Sequence, residues 1–345
     1  MFSCVTALSL MAYFHLHRVL NYRFLVLVGI LMLSTSLSAQ QDPQFTQFRF
    51  QPFLFNPAAA GSEPGLDLTA LVRAQWVGLD GAPQSQSLAG HLPLYGLSSG
   101  LGFSIWNDLS GVQRVTGFYA AYAYRLEVGA RSSFSIGLSA GGLQQAIEGD
   151  RLRAPEGSYE DGQVEHNDNF LPTSNVQAMA ADFGVGLWFQ SERFRAGLSA
   201  THLTQPDVTF EVNGGSSSIA MRRHYYVTTA YKIVLNSNLE LEPGVQVKTD
   251  LASSMADLNA LLYIRGNIWA GASFRTYFDG QADAVGGLVG ANVSDRLGLG
   301  YAYDYPLSAL NQVSSGSHEL MVRYRVAVEK PRQGKRINNL RYLHY

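Results

Sequence analysis

The chain of 345 residues is long enough for one large domain or two ordinary ones, with ample material for a core. Only 15% of the residues are charged, against about 25% in soluble domains, while 12% are aromatic and 34 are glycine. A net charge of −2 offers no basic field, which excludes nucleic acid as the expected partner, and the lone cysteine, Cys4, excludes a disulfide framework or a multi-cysteine metal site.

In chain order, the first predicted element is an export signal. Arg18 and Arg23 precede the apolar stretch 24–33, and the small residues Ser34, Thr35, Ser36, Ser38 and Ala39 follow it. The stretch is too short for a spanning helix, so a signal peptide over 1–39 is expected, cleaved after Ala39. Its removal takes away two arginines and no acids, leaving 23 basic and 27 acidic residues and a net charge of −4.

Residues 40–64 carry Phe45, Phe48, Phe50, Phe53 and Phe55 together with Pro43, Pro52 and Pro57. The prolines argue against a continuous helix, so an extended docking segment is expected. Burial of each ring is worth roughly 1.5–3 kcal/mol, so the segment should pack on a wall, at an interface or inside a lumen.

From residue 65 a period of two takes over. Phe194, Ala196, Leu198 and Ala200 interleave with Arg195, Gly197, Ser199 and Thr201. Leu239, Leu241, Val245 and Val247 interleave with Glu240, Glu242, Gln246 and Lys248. Leu320, Val322, Tyr324 and Val326 interleave with Glu319, Met321, Arg323 and Arg325. Such alternation describes a strand between two different solvents. The predicted strands are 66–73, 85–92, 101–106, 118–126, 134–141, 183–188, 194–201, 225–233, 239–248, 258–265, 268–277, 285–292, 297–304 and 319–326, about fourteen in all.

A soluble β-sandwich or propeller also alternates. Export, an even number of strands and lengths near the roughly 9–11 residues that cross a bilayer at a tilt favour an all-β, transmembrane outer-membrane barrel of antiparallel strands over 65–328. The loops agree. Connections after even strands are short (191–193, 236–238, 266–267 and 294–296), and most of those after odd strands are longer, notably 148–174, 205–221 and 306–317. Short periplasmic turns and long outer loops are the barrel pattern.

Inward positions of such a barrel include Arg73, Arg125, Arg195, Glu240, Glu242, Lys248, Arg265, Arg275, Glu319, Arg323 and Arg325. Opposite charges there are expected to pair across the lumen and fill it. Pro243 cannot donate to a ladder and should mark a bulge or the end of regular pairing. A basic periplasmic tail closes the chain at 329–345, with Lys330, Arg332, Lys335, Arg336 and Arg341 offered either to a partner or to solvent.

No catalytic signature emerges. His91, His166, His202, His224, His318 and His344 show no metal-ligand spacing, and neither a nucleophile elbow nor a phosphate loop is present. The acids Glu148, Asp150, Glu156, Glu160, Asp161, Glu165 and Asp168 supply hard oxygens suited to calcium but in no ordered loop pattern, which favours a solvated loop. The expectation is a non-enzymatic protein without a cofactor.

The opening Gln41-Asp42-Pro43-Gln44-Phe45-Thr46-Gln47-Phe48 followed by Asn56-Pro57-Ala58-Ala59-Ala60-Gly61 resembles the start of the PorP/SprF family. The most specific match is Arg73-Ala74-Gln75-Trp76-Val77-Gly78-Leu79-Asp80-Gly81-Ala82-Pro83 with Gln84-Ser85-Gln86-Ser87. Gly100-Leu101-Gly102 before Asn107-Asp108, and Phe194–Ser199 leading to His202-Leu203, extend it. The chain departs from the family at Ala59, where an aromatic is common, and at Thr201, where proline is common. The resemblance implies an outer-membrane component of the type IX secretion and gliding machinery. It implies contact with periplasmic ring and peptidoglycan-associated proteins, and help for secreted cargo that carries a C-terminal sorting domain. Candidate contact residues are Trp76 and Asp80 in the first loop and Arg332, Lys335, Arg336 and Arg341 in the tail. The competing reading is a barrel transporter for a small hydrophobic or anionic solute.

Overall fold

The computed structural model describes residues 42–160, 163–212 and 215–328. The expected signal peptide at 1–39 and the basic tail at 329–345, with Arg332, Lys335, Arg336 and Arg341, lie outside them. The first strands are β1 (Gly65–Ala74), β2 (Gln84–Leu94), β3 (Ser99–Ser110), β4 (Gln113–Gly129), β5 (Ser132–Ile147), β6 (Val176–Gln190) and β7 (Phe194–Thr201). After a small hairpin of β8 (Asp207–Val212) and β9 (Gly215–Ala220) come β10 (His224–Tyr231), β11 (Ile233–Asn236), β12 (Leu239–Thr249) and β13 (Ser254–Ile264). The last four are β14 (Ile268–Tyr277), β15 (Ala282–Asn292), β16 (Leu297–Pro306) and β17 (Ser317–Ala327).

Each strand pairs antiparallel with its neighbours, and β1 pairs β17 from Gly65↔Ala327 to Ala74↔His318, which closes the sheet. β10 and β11 act as one stave. Ala230↔Gly244 and Ile233↔Leu241 keep a single register across the gap at Lys232, opposite which stand Glu242 and Pro243. The barrel therefore has fourteen staves. Pro243 interrupts regular pairing on this side without shifting the register, because it lacks the N–H the ladder requires. On its other side the strand stays in register with β7, where the Lys232 N–H donates to the Arg193 carbonyl (2.7 Å).

Closure explains the alternation. Leu299, Tyr301 and Tyr305 on β16 face outward and are exposed, whereas Ala302 and Asp304 on the same strand are buried. An apolar outward face of this kind suits lipid, where every backbone group has to be paired within the sheet. Arg265 departs from its expected inward position: it sits exposed in the turn between β13 and β14 with φ +51°, beyond the end of the pleat that would have aimed it inward.

Residues 42–64 occupy the lumen and are called the plug below. Phe45, Phe48, Phe50, Phe53 and Phe55 are all buried, as are Ala58, Ala59 and Ala60. The segment coils rather than extends. Short 3-10 turns at Phe48–Phe50 and Pro57–Ala59 flank one helical turn, Pro52–Phe55. Proline at the first position of each of the last two turns presets φ and needs no donor there. The chain stays close to the wall where the wall has no side chain: a Cβ on Gly137 would lie 2.3 Å from the Ala58 nitrogen, and one on Gly100 would lie 2.2 Å from the Ala60 oxygen.

Candidate functional site

The plug is bonded around most of the barrel's circumference. On one side Glu319 of β17, fully buried, accepts from the backbone N–H groups of Thr46 and Gln47 (both 2.8 Å). Arg73 of β1 donates to Glu319 (3.1 Å), to Asp304 (2.7 Å) and to the Thr46 hydroxyl (2.9 Å). Arg275 of β14 reaches the same hydroxyl (3.1 Å) and pairs with Asp257 (2.6 Å) and Asp304 (3.3 Å). Thr46 in turn donates to Asp304 (2.6 Å). One plug hydroxyl is thus held between two arginines and a carboxylate in a site without bulk water, where hydrogen bonds to charge are strongest.

The middle of the plug is held the same way. Arg49 and Arg195 share Glu242, and Arg49 also donates to Asn259 (3.0 Å). Gln51 donates to the Thr69 carbonyl (2.6 Å) and accepts from Ser87 (2.8 Å). Asn56 donates to the Leu187 carbonyl (2.9 Å) and caps its own turn by accepting from the Ala58 N–H (2.9 Å). Ser199 donates to the Phe55 carbonyl (2.7 Å), and Arg125 to the Gly61 carbonyl (2.8 Å). Aromatic rings complete the packing, with Phe50 5.1 Å from Trp269 and Phe55 5.5 Å from Tyr226.

The start of the plug forms a second centre. β6 outruns β7: pairing stops at Val185↔Ala200, and the chain leaves the wall at His202 with φ +54°. This places His202 between two carboxylates, Nδ1 2.7 Å from Asp182 and Nε2 2.7 Å from Asp42. Tyr226 donates to Asp42 (2.5 Å), Tyr119 donates to Asp182 (2.8 Å), and Lys248 donates to the Asp42 carbonyl (2.9 Å). Burial pushes the Asp42 carboxyl up, but His202 and His224 outweigh it and hold the group well below the usual carboxylate range. An Asp–His pair supplies two members of a hydrolytic triad, yet here the second ring nitrogen is taken by Asp42. The arrangement fastens the plug rather than activating a nucleophile.

Among the described residues, the histidines and carboxylates that converge closely enough to hold an ion are Asp42, His202 and His224. Among the described residues the acids of the 148–174 connection form no such group, and Asp161 lies outside them. Glu148 pairs with Arg151 (2.6 Å), and the connection is held by a buried His166, which bonds the Gly149 and Pro172 carbonyls (3.2 and 2.9 Å) and the Tyr159 hydroxyl (2.9 Å).

The residues proposed for contacts lie elsewhere. Trp76 is half-buried in the loop between β1 and β2, at φ +48°, and its N–H donates to Ser317 (3.1 Å). Asp80 is exposed in the same loop. Both stand at the long-loop end, on the opposite rim from the β17 end that leads into the tail. Sequence reasoning marked Arg73, Lys248, Arg275 and Glu319 as inward charges but missed the Asp42, Asp182, His202 and Tyr226 centre. The available signal was Asp182 itself, a carboxylate at an inward position of the apolar run 180–189.

The chain matches the family model described as type IX secretion system membrane protein PorP/SprF over residues 37–324. No curated protein matches. Among solved structures it is similar to the CymD monoaromatic hydrocarbon channel, with 12% identity, a TM-score of 0.49 and coverage of 81% of this chain and 93% of that one. It is also similar to Omp33 of Acinetobacter baumannii, with 8% identity, a TM-score of 0.42 and coverage of 77% and 100%. A third likeness is to the toluene transporter TodX of P. putida, with 7% identity, a TM-score of 0.43 and coverage of 79% and 93%.

Proposed function

Because the chain belongs to the PorP/SprF family of type IX secretion system membrane proteins, we propose that it is a closed, non-conducting barrel that serves as an outer-membrane scaffold. It assists the secretion or surface attachment of cargo bearing a C-terminal sorting domain and contacts periplasmic ring and peptidoglycan-associated proteins. The observation that carries this reading is the filled lumen. A plug bonded to β1, β2, β4, β6, β7, β10, β12, β13, β16 and β17 opposes free diffusion and suits a component that works through its rims.

The two rims divide the work. The long-loop end, where Trp76 and Asp80 stand, faces cargo. The short-turn end, where β17 runs out toward the basic tail, faces the periplasm, and Arg332, Lys335, Arg336 and Arg341 steer an acidic partner surface. No catalytic step enters this role.

Two measurements test it. Planar-bilayer conductance of the purified protein should be absent at steady state, and affinity capture from native outer membranes should recover ring components and cargo. Steady passage of a small hydrophobic or anionic solute by the protein alone would overturn the scaffold reading in favour of transport.

A further inference from the structure

The Asp42 centre has more than a fastening needs. His202 and His224 stand with ring centroids 5.8 Å apart and nearly perpendicular, and each offers a nitrogen that, with an Asp42 oxygen, forms a set lying within 4.8 Å. All three residues are buried. Nδ1 of His224 stands 3.9 Å from an Asp42 oxygen and donates to the Arg222 carbonyl (3.0 Å), while the buried Nε2 has no hydrogen-bond partner. A buried ring nitrogen without a partner is an unsatisfied acceptor, and a cation is one of the few species that satisfies it. His202 already has the support a ligating imidazole receives elsewhere, its Nδ1 fixed by Asp182 so that Nε2 points at Asp42.

We propose that Asp42, His202 and His224 bind one divalent transition metal of the zinc class, which clamps the start of the plug to the barrel wall. The donor set decides the class: two imidazoles and one carboxylate suit zinc and its neighbours, whereas calcium takes six to eight oxygens. The geometry requires little movement. Ligand atoms about 2.0–2.2 Å from a tetrahedral metal stand roughly 3.3 Å apart, so the Asp42–His202 pair at 2.7 Å opens by about 0.6 Å. On binding, the proton between His202 Nε2 and Asp42 is released and the metal takes its place. A cavity of about 40 Å³ lined by Asp42, Tyr119, Asp182 and His202 adjoins the site and has room for a water as fourth ligand. Lys248, whose ammonium donates to the Asp42 carbonyl, is the cation the metal has to compete with.

The test uses the purified full chain in detergent, stripped with chelator and titrated with Zn²⁺ or Co²⁺. The expected result is one metal per chain at low micromolar concentration, with Co²⁺ developing the intense visible bands of a four-coordinate site. His224→Ala should weaken binding at least tenfold, Asp182→Asn by 10–100-fold through loss of ring support, and Lys248→Met should tighten it. Heat-modifiability on gels confirms that each variant is folded. Metal uptake by the wild type no greater than by His224→Ala, or none at all, overturns the proposal; the wild-type titration decides this even if a variant fails to fold. The result is independent of the secretion reading, since it is measured without partners.

Discussion

Replacing Glu319 with alanine separates the plug from the barrel energetically. In the wild type its carboxylate accepts the Thr46 and Gln47 N–H groups and one arm of Arg73. Alanine leaves two buried donors unpaired, each worth about 1–3 kcal/mol, and removes one partner of a buried ion pair, a change of about 3–5 kcal/mol. These terms share the same atoms and do not add, so the expected weakening is about 3–5 kcal/mol. Nearly all of it falls on the plug, because the β1–β17 ladder is made by main-chain groups that the substitution leaves in place. At about 1.4 kcal/mol per tenfold, the population with the plug displaced rises by roughly a hundredfold to a few thousandfold. Single-channel recording should show intermittent conductance where the wild type is silent, and hydrogen exchange over 45–51 should accelerate while the strands stay protected. Glu319→Gln, which keeps one acceptor oxygen, should fall between. A silent Glu319→Ala barrel with wild-type protection would refute the reasoning, since it would mean that the plug's other contacts hold it without Glu319.

Three further outcomes follow from the same geometry. In Gly137→Ala the new Cβ meets the Ala58 backbone at 2.3 Å, so a cysteine placed at Ala59 should become reactive to a soluble thiol reagent; Gly287→Ala, whose Cβ meets nothing within 4 Å, should leave it protected. Trp76→Ala removes a half-buried ring at a left-handed position without touching its N–H bond to Ser317. Surface display of cargo should fall while barrel yield and heat-modifiability stay normal, and loss of the barrel itself would assign Trp76 to folding. Stopping the chain after Val328 keeps the whole β1–β17 ladder, which ends at Ala327. The truncated barrel should insert normally yet fail to co-purify with ring components, and Arg332→Gln with Lys335→Gln and Arg336→Gln should make that association weaker and more salt-sensitive. Normal cargo secretion by the truncated chain would move the contact to the short turns.

The strands were legible because alternation is a local property. Side chains on a pleat point to opposite faces whatever the rest of the chain does, so Leu320-Met321-Val322-Arg323 announces one apolar and one mixed face without reference to its neighbours. The count of fourteen, the short turns after even strands and the interruption of pairing at Pro243 all follow from such local rules. The phenylalanines of 40–64 required burial, but residue order did not choose among wall, interface and lumen, and it suggested an extended path where the chain coils. That choice belongs to closure. Only when β1 meets β17 do Arg73, Asp304, Glu319 and Arg275 converge on Thr46, residues separated along the chain by up to 273 positions. The Asp42 centre was hidden for the same reason: its members come from the plug, from the middle of β6, from the exit of β7 and from the head of β10, and no spacing rule joins them. Periodicity is written residue by residue, whereas a buried charge cluster exists only after the sheet has curled round and brought distant inward positions within about 3 Å of one another.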